Sequence, residues 1–391
     1  MKKIILLLFL PSILFSQNTK PAIAVLGITH SGQLASPAQQ PAALRAFIHR
    51  VKPDAILIER SPEEFARSDF YEFTYEQQFV VVPFARQQKI PLYPIDWLPK
   101  EEDPLLALGV KDLEVPAFTR NPSGFWGFMN FTDSSILQQS LYYAEDSVSR
   151  WEMVNWYTPY PFKQTNADFP RRLFLYRTFL QAKRIDAAAK NFTQNDTLLV
   201  VIGSLHKDDI ERNLSAAGYT ILNTAGFGMI TDAELKNNYE LKDAFAIASF
   251  NLLGVQSRTT IIDRNLLADA MKYLKTVNSP ETVFFNIKYQ LFNKTIHSDE
   301  AIDQYLAILK TLPKTTVFTW TGVKSRSRID SYFDPFGNMT LWQRIHLELA
   351  REYFKSGNIN SYNKEKELLL NEFQGMKKAM LQAYWPDYIE K

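Results

Sequence analysis

Two stretches of the chain end alike. Ala22-Ile-Ala-Val-Leu-Gly27-Ile-Thr-His30 and Thr197-Leu-Leu-Val-Val-Ile-Gly203-Ser-Leu-His206 are each an apolar run, then a glycine, then a histidine three residues on. The sequence of 391 residues holds five histidines, so two in matching contexts form its strongest chemical signal. Two further apolar runs, 54–59 and 90–96, end in carboxylates, Glu59 and Asp96. Two imidazoles and two carboxylates make a ligand set of borderline hardness. It suits Mn²⁺, Fe²⁺, Co²⁺ or Zn²⁺ better than the all-oxygen shell that Ca²⁺ prefers. An ion held this way brings the pKa of its bound water near neutrality and polarises a carbonyl, which is hydrolytic chemistry. His30, His206 and Glu59 are the expected ligands. Glu59 reads equally as a general base, with Arg60 beside it to keep it ionised, and Asp96 assists. Arg60, Arg177 and Arg184 are candidates to meet a substrate carboxylate, and Arg177 and Arg184 otherwise pair with surface acids. Each residue also has a plainer reading, since a lone histidine or aspartate after a strand often only caps the next segment. His49, His297 and His346 lie in helical or loop contexts and read as structural.

These side chains meet only if their segments lie side by side. The four apolar runs have the length and β-branched content of buried strands. Between the first two, Leu44, Phe47, Ile48 and Val51 fall at helical spacing, and Lys52-Pro53 stops the helix. Ser61-Pro-Glu-Glu64 reads as a helix start with Ser61 as cap, and a second helical stretch covers 75–88. Strands alternating with helices imply a parallel sheet flanked by helices, and ligands bind at the carboxyl edge of such sheets. Residues 98–170 break the rhythm. They are rich in aromatics and proline and read as an insertion that walls a cleft or simply packs on the sheet. A helix follows over 171–190, with Leu173, Tyr176, Leu180 and Ala187 on one side and arginines on another. The His206 strand, a helix over 207–218 and a last strand over 219–222 complete an α/β unit spanning 20–231. From 232 to 391 the pattern is mainly helical (232–252, 264–274, 299–312, 341–354, 363–383), with Thr315–Trp320 as one more strand candidate.

Composition narrows the function classes. Lys and Arg number 44 against 42 Asp and Glu, so no basic footprint for nucleic acid appears. With no cysteine, disulfides, thiol catalysis and thiolate metal sites are excluded. Residues 1–17 have a basic start and an apolar stretch too short to span a bilayer, the pattern of a secretory signal. The expected product is an exported protein, periplasmic or extracellular, with no membrane span after the signal is removed.

The order and context of these motifs resemble the TraB/TIKI superfamily, which includes erythromycin esterase-like and ChaN-like proteins. Ala24-Val-Leu-Gly-Ile-Thr-His30 looks like its first Gly-x-x-His unit, Lys52-Pro-Asp-Ala-Ile-Leu-Ile-Glu59 like its glutamate strand, and Val200-Val-Ile-Gly-Ser-Leu-His206 like its second unit. The likeness covers about residues 20–230. It implies an α/β domain with both histidines and the glutamate at an active centre, and Mn²⁺- or Co²⁺-dependent peptidase activity in one branch. Other branches imply ester hydrolysis or haem binding. Where the family carries an arginine five residues after the glutamate, this chain has Glu64, with Arg60 nearer. The expectation is an exported metal-dependent hydrolase of peptide or amide bonds. Its rivals are a non-catalytic haem- or peptide-binding protein of the same fold, and a scaffold that docks a protein partner through its C-terminal helices.

Overall fold

In the computed structural model, the described residues are 20–97, 127–157, 169–322 and 327–390. The signal-like segment, most of the aromatic insertion (98–126 and 158–168) and residues 323–326 lie outside them. Five strands, β1 (Ala22–Ile28), β2 (Ala55–Ile58), β3 (Leu92–Pro94), β4 (Thr197–Gly203) and β5 (Thr220–Leu222), form one sheet. Their order is β3-β2-β4-β1-β5, and each neighbouring pair is parallel.

Alternation along the strands sorts side chains to two faces. Ala24, Leu26, Ile28, Ile56, Ile58, Leu199 and Val201 share a core with the helix Pro41–Val51 and with the turn and helix over 76–88. Ile23, Val25, Leu57, Leu198, Val200 and Ile202 pack instead with Phe169–Ala189 and Ser204–Ala216. Both faces of the sheet are therefore covered, as parallel sheets require. The first core does not stop at the α/β unit. It runs on through Leu241–Leu252, a helix buried along almost its whole length, into Arg264–Leu274, Pro280–Phe292 and Ser298–Leu309.

Several elements differ from expectation. The 232–252 pattern is two helices, Asp232–Asn238 and Leu241–Leu252, because Glu240 and Asp243 form a capping box that restarts the chain. The 363–383 pattern likewise divides into Ile359–Glu372 and Gly375–Ile389. Thr315–Trp320 is not a strand. Thr319 bonds the Glu281 carboxylate through both its amide (2.9 Å) and its hydroxyl (2.6 Å), and Trp320 stacks on Phe333, so tertiary partners replace a sheet edge. Among the described residues no helix is long and apolar enough to cross a membrane.

Candidate active site

Sheet order decides which side chains meet. β4 lies between β2 and β1, so the carboxyl rim reads Asp96, Glu59, His206, His30 across four adjacent strands. Glu59 and His30 leave strands that are two spacings apart, roughly 9.6 Å in a regular sheet. They nevertheless approach to 3.8 Å, between Oε2 and Nε2. What allows this is Gly203 at the end of β4 between them. A Cβ there would lie 2.7 Å from His30 Nε2 and 3.2 Å from Glu59 Oε2. The Gly203 amide also donates to Glu59 Oε2 at 2.6 Å.

Each imidazole has its Nδ1 engaged and its Nε2 turned toward Glu59. His30 Nδ1 lies 2.9 Å from Glu76 Oε1, so a neutral ring donates there and leaves Nε2 as the acceptor. The Glu76 carboxylate is fully buried and starts a π-helical turn, Glu76–Val81, a distortion often found at functional sites. His30 itself has φ +41°, an uncommon conformation for a residue with a side chain. His206 sits in the first turn of Ser204–Ala216, a helix that begins three residues earlier than its sequence pattern suggests. Its Nδ1 is 2.7 Å from the Thr178 hydroxyl, which in turn donates to the Phe174 carbonyl at 2.9 Å. Thr178 must then accept from Nδ1–H, which leaves the His206 Nε2 lone pair free, 3.5 Å from Glu59 Oε1.

Arg177, the residue before Thr178, binds the centre of the rim. Its Nη2 donates to Glu59 Oε1 at 2.9 Å and to Asp96 Oδ2 at 2.6 Å. Its Nε donates to Asp96 Oδ1 at 2.8 Å, and its Nη1 lies 3.2 Å from His206 Nε2. Asp96 also accepts from Gln181 Nε2 at 2.7 Å and from the Tyr71 hydroxyl, and the Arg184 guanidinium bonds its carbonyl. Arg177 therefore meets neither a surface acid nor open solvent. Arg60 is not the group that faces Glu59. It contacts Glu64 at 2.9 Å, the Asp69 carbonyl, and the face of Tyr71.

The electrostatics follow from these contacts. Burial works against the Glu59 charge, but the groups around it, His30 and Arg177 among them, outweigh it and hold the carboxyl well below the usual carboxylate range. Burial lowers the pKa of His206, keeping the ring neutral in agreement with its hydrogen bonds. Burial opposes the charge on His30 too, yet Glu76 and then Glu59 raise its pKa above 6.5. His30 is also the more accessible ring, with its side chain 12% exposed against 3% for His206.

Sequence reasoning brought His30, Glu59, Asp96 and His206 to one rim and missed Glu76, Thr178, Tyr71 and Gln181. The missed signal lay in Arg177-Thr178-x-x-Gln181-x-x-Arg184, polar residues at helical spacing on one face. That face of the helix is the inner one. Phe174, Arg177, Thr178, Gln181, Ala182 and Ile185 are buried, while Tyr176 is 51% exposed, so the apolar side expected from Tyr176 and Ala187 is not the one that packs.

The donor types are right for a divalent transition metal, but their disposition does not fit one. Among the described residues no group of three or more His, Asp or Glu side chains is placed to hold an ion. A guanidinium already lies within hydrogen-bond reach of Glu59, Asp96 and His206. No family model, curated protein or solved structure matches the chain.

Proposed function

We propose that this chain is an exported hydrolase of acyl bonds, with amides and peptides as its substrates, in which the Glu76–His30 pair activates water. One observation carries the reading. An ionised carboxylate, Glu59, lies between the Nε2 atoms of two imidazoles whose Nδ1 atoms are both engaged. In that arrangement water gives its proton to His30 Nε2, with Glu76 orienting the ring and Glu59 stabilising the imidazolium, the division of labour seen in acid–histidine pairs. The hydroxide attacks the acyl carbon. The developing oxyanion has at hand the first turn of Ser204–Ala216, whose N-cap, Gly203, has no side chain to occupy it and whose dipole favours negative charge. His30 then returns its proton to the leaving amine, and the acid product departs. Arg177 and the Gly203 amide keep Glu59 in place and ionised. No step is routed through a metal, because the side chains do not fit one. The resemblance to the TraB/TIKI superfamily supports the substrate class through its motifs alone.

The test is hydrolysis of a panel of peptides and activated esters by the chain lacking residues 1–17, compared with His30→Gln and Glu59→Gln. General-base catalysis is worth about 10²–10⁴-fold, and losses of that size are expected from His30→Gln. Turnover that both substitutions leave unchanged would remove the proposal.

A further inference from the structure

We propose that Tyr332 is a positioning residue for His30: a residue of the C-terminal region that, through Ser31, holds both the turn that carries the imidazole and the aromatic ring packed against it. The role of His30 as base rests on the hydrolase reading, while its positioning is measured on the ring itself, so either can fail without the other.

Three observations support it. First, the direction of the bonds is fixed. Ser31 is fully buried, and its Oγ lies 2.7 Å from both the Phe73 carbonyl and the Tyr332 hydroxyl. A carbonyl only accepts, so the one hydroxyl proton of Ser31 goes to Phe73 and Tyr332 must donate to Ser31. Burial, with the Glu76 charge adding to it, pushes the Tyr332 phenol up, so it stays a donor through the neutral range. Second, both groups that Ser31 joins bear on His30. Ser31 follows His30 directly, and the φ of +41° at His30 is a conformation that persists only where the surroundings over-determine it. The Phe73 ring stands at 70° to the imidazole with centroids 5.1 Å apart, and it stacks on Tyr71, whose hydroxyl bonds Asp96. Third, Tyr332 comes from a segment held firmly in place. Residues 329–337 are all buried yet form neither helix nor strand, which requires that their backbone groups find partners elsewhere. The amides of Met129 and Val255 donate to the carbonyls of Tyr332 (2.8 Å) and Phe333 (3.0 Å), and Arg344 bonds the Asp334 carboxylate at 2.7 Å. The Leu241–Leu252 helix holds the far end of the same turn, with Asn251 Nδ2 donating to the Leu34 carbonyl at 2.8 Å. Residues beyond 231 thus grip the His30–Leu34 turn at both ends.

The experiment follows the histidine ring signals by NMR through a pH titration of the chain lacking residues 1–17, with His30 assigned by the loss of its signals in His30→Gln. Tyr332→Phe keeps the aromatic ring and deletes only the donor, and Ser31→Ala deletes the same link from its other side. Tyr384→Phe is the control, because it removes a buried hydroxyl that bonds the same segment at Asp330 Oδ2 (3.1 Å) and not Ser31. Without the link, His30 should sit less firmly against Glu76, which raises its pKa against the effect of burial. Its midpoint should then fall by about half a pH unit toward 6.5, the size of effect that one hydrogen bond can transmit. Tyr332→Phe and Ser31→Ala should both show this fall and displaced His30 ring signals, and the double variant should fall no further than either alone. Tyr384→Phe should melt below wild type with His30 unmoved. A Tyr332→Phe protein whose His30 midpoint and ring signals match wild type overturns the proposal. So does a control that moves them as much, or, where Tyr332→Phe is not recovered in folded form, a Ser31→Ala protein with wild-type His30 signals.

Discussion

Adding one methyl group at Gly203 tests the geometry of the rim directly. The backbone there (φ −56°, ψ 134°) suits alanine, so Gly203→Ala introduces no conformational strain, only volume. The new Cβ would lie 2.7 Å from His30 Nε2, and ordinary contact begins at 3.4 Å, so the ring must retreat by 3.4 − 2.7 = 0.7 Å. His30 cannot slide freely, because Nδ1 is tied at 2.9 Å to the fully buried Glu76. Overpacking of this kind costs about 1–3 kcal/mol, and a misplacement near 1 Å at a reacting group costs on the order of 10²-fold in rate. Gly27→Ala is the control. Its Cβ would meet Ala144 Cβ at 3.0 Å, Lys207 Cδ at 3.1 Å and Ser204 Cα at 3.1 Å, so it crowds the start of the Ser204–Ala216 helix and leaves the His30 ring untouched. Both variants should melt below wild type, and Gly203→Ala should in addition shift the His30 ring signals in NMR spectra and slow hydrolysis. The reasoning is refuted if Gly203→Ala keeps the wild-type rate and ring shifts, or if Gly27→Ala shifts the His30 ring signals as much.

Other consequences concern the groups around this contact. Thr178→Val leaves the His206 Nδ1–H a buried donor without an acceptor and should destabilise by about 1–3 kcal/mol in urea unfolding, while Thr178→Ser restores the hydroxyl and most of the loss. A valine variant as stable as the serine one would contradict the tautomer assigned to His206. His30, with its pKa raised above 6.5, stabilises the fold fully below that value and loses the contribution as pH rises through the folded pKa. The rate, which needs the neutral ring, should climb through the same window, so melting temperature and rate should move in opposite directions as pH rises above 6.5. His30→Gln should flatten both profiles. Glu59, held well below its usual range, adds stability that is complete at neutral pH and fades only as acid is added below 4.5. Away from the rim, Glu348→Gln removes the buried counter-charge of Lys288 (2.7 Å) and Arg344 (3.0 Å) and should cost about 3–5 kcal/mol, measured by thermal or denaturant unfolding.

What the sequence made legible was local. The β-branched runs of β1, β2 and β4 gave themselves away by length and composition, and the residues ending them were read as lying on one rim. The order of the strands was not readable, because nothing in a strand's own residues says which partner it pairs with. Yet that order, with β4 between β2 and β1, is what sets Glu59 between the two histidines. Arg177 was hidden for a related reason. A charged residue on a helix is normally assigned to solvent, and only Asp96 and Glu59, 81 and 118 residues away in the chain, make its burial tolerable. Glu76 was hidden by the π-helical turn, which shifts the register that a regular helical period assumes. Thr315–Trp320 failed in the opposite direction. Its residues suit a strand, and partners outside any sheet took up its polar groups.

The matching Gly-x-x-His units invite the idea of one device used twice, and the packing argues otherwise. Neither glycine has the positive φ that would make it a turn-former. Each instead clears space for the other unit. In the parallel register Ile28 stands opposite Gly203 and Gly27 opposite Ile202. Gly203 thus clears the approach of His30 to Glu59, and Gly27 clears the start of the helix carrying His206, at Ser204 and Lys207. The histidines diverge as well. His30 leaves β1 into a 3₁₀ turn, is tied to an acid, and keeps some access to solvent. His206 lies in a helix, is tied to a hydroxyl, stacks on Phe174, and is closed in by Arg177. A ring held by a carboxylate is the stronger base, and a ring held by an alcohol beside a guanidinium stays neutral. Those environments give the two similar motifs different work, proton transfer for His30 and the placing of Arg177 for His206.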